Sequence, residues 1–117
     1  MQANKSKRPI FQGDVAFVRV AKRDVPKAAQ AVPRDGARVI VAHSETGHHH
    51  YLDGEGVTLL REPSNPLIAY LRVECATADV IHGRPYDTHE TISLPRGTYR
   101  VTRQREWIPG GFRRVED

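Results

Sequence analysis

A chain of 117 residues has room for one small hydrophobic core rather than two. With 38% hydrophobic residues, that core is expected to be thin, as in a small barrel or sandwich. A formal net charge of +4 admits an anionic partner such as nucleic acid without requiring one, and the single cysteine, Cys75, excludes an intramolecular disulfide and a thiolate zinc cage.

Residues 1–8 hold no apolar anchor and read as a flexible basic arm. No apolar stretch follows them, which points away from a secretory signal, and no run approaches the length of a membrane span. The expectation is a soluble cytoplasmic protein. A single β domain is expected over 9–109, with a charged tail over 110–117. Its first strand follows Gly13-Asp14, with Val15, Phe17 and Arg19 on one face and Ala16, Val18 and Val20 on the other. Asp24 to Ala31 reads as one or two helical turns, with Asp24 as N-cap and Pro26 in the first turn. Pro33-Arg34-Asp35-Gly36 and Asp53-Gly54-Glu55-Gly56 read as turns.

Between them lies a β-branched run from Ala37 to Ala42, and after them a short strand, Val57 to Leu60. Leu67, Ala69, Leu71 and Val73 alternate with Ile68, Tyr70 and Arg72 as a half-buried strand does. Cys75 follows as a small buried hydrophobe. Ala76 to Ile81 continues that strand or forms the next. His89 to Leu94 is another strand, Pro95-Arg96-Gly97 a turn, and Thr98 to Trp107 a long strand. The predicted fold is all-β: a small single-domain barrel or sandwich of seven to eight short antiparallel strands.

The chemistry concentrates in Val39 to Glu55, which holds four of the six histidines. If Val39–His43 and His48–Leu52 are hairpin arms, Ser44 to Gly47 is a four-residue loop. His43 and His48 then stand opposite each other with Cβ atoms about 4.5–5.5 Å apart, and the strand period adds His50 to the same face. Three imidazoles on one face suit zinc, iron, copper or nickel, with Glu45 or Glu55 as an oxygen donor and His89 as a fourth histidine. A one-residue slip would separate His43 from the other two. The blander reading is a solvated polar edge beside a turn.

The spacing His48-x-His50, with Glu55 four residues further on, resembles the first metal motif of the cupins, as do the turns Asp53 to Gly56 and Pro95 to Gly97. That resemblance implies a β-barrel with a divalent metal and metal-dependent enzyme chemistry. The chain departs from it at Arg100, which stands where the last cupin histidine would be. The whole chain is also similar to short bacterial and phage-borne proteins. They share the segments seen here as Gly13-Asp14-Val15, Thr46 to His50, and Leu94 to Trp107. That second likeness implies no activity.

On the last long strand, Tyr99, Val101, Arg103, Arg105 and Trp107 fall on one face. Arginines interleaved with aromatics suit phosphate contact and base stacking, so Tyr99, Arg103, Arg105 and Trp107 are candidates for binding nucleic acid or a partner. The alternative is that Tyr99 is core and the arginines are solvated at an edge. No phosphate loop, nucleophile elbow or dinucleotide fingerprint is present. The sequence thus leads to an accessory protein with a histidine-lined, metal-binding pocket. Its rivals are an interaction module for nucleic acid, a homo-oligomer or a larger phage-derived assembly, and a cupin-like enzyme.

Overall fold

The computed structural model describes residues 8–42, 49–65, 67–82, 91–103, 105–108 and 111–114. Strands β1 (Ile10–Gln12) and β2 (Val15–Val20) are joined by the two-residue turn Gly13-Asp14, which leaves Gln12 opposite Val15. Gly13 takes φ 57°, the left-handed conformation that such a tight connection draws from glycine. A short 3-10 helix, Lys22–Asp24, comes next.

This is not the helix expected from Asp24 to Ala31. Asp24 ends the turn rather than starting it, and its carboxylate accepts a hydrogen bond from the Ala21 N–H at 2.8 Å. Pro26 explains the difference. The residue before proline is driven out of the helical region, and Val25 sits at φ −76°, ψ 124°. Gln30–Ala31 is instead a short strand, β3.

The remaining strands are β4 (Arg38–Ala42), β5 (His50–Asp53), β6 (Val57–Arg61), β7 (Ala69–His82), β8 (Ile92–Arg103), β9 (Arg105–Ile108) and β10 (Gly111–Arg114). Eight of the ten form one antiparallel sheet in the order β1-β2-β8-β7-β5-β4, with β6 also on β7 and β3 on β6. No α-helix occurs among the described residues, so the fold is all-β. Among the described residues β1 and β4 do not pair, and the sheet is open. No described helix is long and apolar enough to cross a membrane.

The sheet is organised on β7. Strands β5 and β6 lie end to end along one edge of it, pairing Leu52 with Val80 and Val57 with Val73, while β8 takes the other edge. Pairing with β8 slips between Val73 and Thr77, where the strands bend. The bend is fastened by the Glu74 N–H donating to the Gly56 carbonyl at 2.7 Å. Gly54 and Gly56 turn the chain there with φ 95° and 83°.

At this corner one open alternative is decided and one expectation changes. Ala76 to Ile81 continues the preceding strand, giving a β7 of 14 residues. Pro95-Arg96-Gly97 is not a turn between strands but the bent middle of a 12-residue β8, with Pro95 opposite Thr77 and Gly97 opposite Val73. The strand expected to run on to Trp107 stops at Arg103. Arg105–Ile108 pairs instead with Gly111–Arg114, which the sequence suggested as the start of a tail, in a separate two-stranded sheet.

The core lies inside the bend. Phe17, Leu52, Leu59, Leu71, Leu94, Tyr99 and Val101 are buried there, each large apolar side chain contributing about 1.5–3 kcal/mol. Alternation holds along β7, where Ala69, Leu71 and Val73 face in. Leu67, just before it, departs from that pattern and is exposed. Cys75 is half-buried against the core.

Candidate functional site

At the end of the sheet marked by the Gly13-Asp14 turn, five polar residues meet away from water. Gln12, Asp14, His50 and His82 are all buried, with Arg103 partly covered beside them. They arrive from β1, its turn, β5, β7 and β8. Polar groups in such surroundings persist only when they satisfy one another.

Their contacts form a chain. The Gln12 amide Nε2 donates to the Val80 carbonyl at 2.8 Å, which leaves Gln12 Oε1 as an acceptor. His50 Nδ1 lies 2.8 Å from that oxygen and therefore carries the proton of this bond. His50 Nε2 faces Asp14 Oδ1 at 3.8 Å, too far for a hydrogen bond. Asp14 is gripped by the Arg103 fork, with Nε to Oδ2 at 3.0 Å and Nη2 to Oδ1 at 3.2 Å. The two-point grip is charge-assisted and compensates the burial of the carboxylate. His50 is paired with His82 across β5 and β7, and their rings stack with centroids 4.0 Å apart and planes 13° from parallel.

The β4–β5 register explains how His50 comes to this position. Arg38↔Asp53, Val39↔Leu52 and Ile40↔Tyr51 are the pairs that a Ser44 to Gly47 loop requires. Between Ile40 and Ala42 the ladder shifts by one, so His50 stands opposite Ala42 instead of Val41. His43, Glu45, His48 and His89 lie outside the described residues. Among the described residues, no three His, Cys, Asp or Glu side chains are grouped as a metal would need.

Glu55 does not join His50; it is exposed on the Gly54–Gly56 corner, with Asp53 and Asp79 around a separate shallow pocket. Of the residues suggested for nucleic acid, Tyr99 and Arg103 have described side chains, and both are engaged within the fold. Tyr99 is a core residue, 1% exposed, whose hydroxyl donates to the Pro95 carbonyl at 2.6 Å. A base has no access to its ring. Arg103 is committed to Asp14. Arg105 and Trp107 belong to β9, in the other sheet.

Gln12, Asp14 and His82 are the members that sequence reasoning did not select. Gly13-Asp14 marked only the start of the first strand, and the fold alone brings Asp14 to Arg103 across a separation of 89 residues.

The family model for a domain of unknown function, DUF8820, matches residues 11–104. The chain belongs to that family. The matched span takes in Gln12, Asp14, His50, His82 and Arg103, so the whole polar cluster lies inside the family's domain, whereas β9 and β10 lie beyond it. No curated protein and no solved structure matches the chain.

Proposed function

We propose that this chain is a small cytoplasmic accessory protein that binds a divalent transition metal (zinc, iron or nickel) at its histidine end. The observation that carries the reading is the Gln12 clamp on His50. A histidine whose Nδ1–H is held by an oxygen acceptor presents Nε2 as the lone-pair nitrogen, the arrangement that orients metal-ligating imidazoles.

Chain connectivity supports it. Segment 43–48, with His43 and His48, springs from Ala42 and returns at His49, beside the Ala42↔His50 pair. Segment 83–90, with His89, springs from His82, which pairs with His50. All six histidines therefore belong to these two connections and the strand ends that bear them. The fit is selective. His50 suits a metal ligand, Asp14 does not because both of its oxygens are held by Arg103, and Glu55 does not because it stands at the corner.

Elemental analysis and calorimetric titration of protein prepared without an affinity tag test the reading. It expects about one equivalent of metal per chain, with affinity falling roughly 10–100-fold in Gln12→Leu through loss of the clamp. Less than about a tenth of an equivalent, with no uptake on titration, would contradict it.

A further inference from the structure

At the opposite end of β2 from Asp14, the bend of β7 and β8 leaves a cavity of about 530 Å³. Its volume falls within the range of about 300–1,000 Å³ typical of small-molecule sites. Four cations line it, Arg19, Lys22, Arg72 and Arg96, against one carboxylate, Glu74, and Val20 adds an apolar side chain beside Arg72.

The cations differ in how they are held. Arg19 is built into the wall. Its Nη2 donates to the Arg96 carbonyl at 2.5 Å and its Nη1 to the Tyr99 hydroxyl at 3.4 Å, with the guanidinium 5.7 Å from the Tyr99 ring centroid. Gly97 makes room for it, since a Cβ there would lie 2.7 Å from Arg19 Nη2. By contrast, the side chains of Lys22, Arg72 and Arg96 make no hydrogen bond or ion pair among the described residues. A fixed guanidinium, two uncommitted ones and an ammonium around a cavity larger than a phosphate group are complementary to a phosphate carried on an organic body. Guanidinium forks match phosphate oxygens in pairs, and the ammonium adds a point charge.

We infer that this cavity is a binding site for an organic phosphate of mononucleotide size, its phosphoryl group at Lys22, Arg72 and Arg96 and its organic body beside Val20. The site is separate from the histidine cluster and needs no metal.

Calorimetry at low salt with adenosine monophosphate and with inorganic phosphate tests it. Saturable one-to-one binding of the nucleotide is expected, about tenfold or more tighter than inorganic phosphate because its organic body fills the cavity that phosphate alone leaves open. Arg72→Gln and Arg96→Gln should each weaken it about fivefold or more. Gly97→Ala, which displaces Arg19 from the wall, should weaken it as well, whereas His50→Gln should not. Arg96 is exposed, so its variant keeps the fold, which a circular dichroism spectrum verifies. No saturation by about 10 mM nucleotide would overturn the inference. So would equal affinity for nucleotide and inorganic phosphate, or binding unaltered in Arg96→Gln; each describes a solvated charge patch rather than a site.

Discussion

Arg103 and Asp14 show how unequal two ends of one ion pair are. Asp14 is almost wholly buried, whereas Arg103 keeps a side-chain exposure of 19%. Removing the arginine takes two charge-assisted hydrogen bonds from a carboxylate that is held away from water. Arg103→Ala should therefore cost about 3 kcal/mol or more in urea unfolding, and Asp14→Asn added to it should recover part of that loss. A loss below about 0.5 kcal/mol would mean the pair behaves like a surface salt bridge. Tyr99 gives a pH signature at the same scale. Burial raises its phenol above the usual value of about 10, with the nearby Arg19 charge opposing that shift in part. The folded state thus holds this proton more tightly than the unfolded chain. The associated stability is fully present below pH of about 10 and is lost as pH rises through the raised folded value. Tyr99→Phe should flatten that alkaline loss, which urea midpoints measured on both sides of pH 10 would reveal. The likeness of Tyr99 to a base-stacking aromatic came from its spacing with Arg103 and Arg105; spacing along one strand says nothing about which face the rest of the sheet covers.

At the scale of elements, the sequence marked most strands and placed their ends badly. The alternation in Ala69 to Val73 and the β-branched run before Ala42 were legible because one face of each is buried. Pro95-Arg96-Gly97 misled because it carries the residues of a tight turn, yet pairing with β7 on both sides keeps it inside one strand. Local turn chemistry lost there to a ladder made by residues far away in sequence. Pro26 misled in the opposite sense, since its effect on Val25 outweighed its usual welcome in a first helical turn. The corner itself is testable. Gly56 has φ 83°, and a Cβ there would lie 3.2 Å from Cys75 Cβ. Gly56→Val should destabilise by about 1–3 kcal/mol from strained backbone alone, read from the shift in urea midpoint. An unchanged midpoint would show that the corner can relax.

For the whole molecule, the fold divides the chain into two ends with different chemistry. One end gathers Gln12, Asp14, His50, His82 and Arg103 into a dry polar cluster, and the other opens into a basic cavity between β2, β7 and β8. The histidine-rich stretch stood out from composition alone, and His50 is the member that the fold buries in the polar cluster. Its partners were not legible, because Gln12 lies 38 positions away and sits on a strand too short to announce itself. The shift between Ile40 and Ala42 was equally hidden, since a bulge leaves no mark in hydrophobic alternation. The most direct measurement of the central claim is the long-range nitrogen–proton NMR spectrum of the His50 ring, recorded before and after adding zinc to tag-free protein. The clamped ring predicts a protonated Nδ1 in both states and a metal-induced shift confined to Nε2. An Nδ1 without its proton, or a spectrum unchanged by excess zinc, would contradict it.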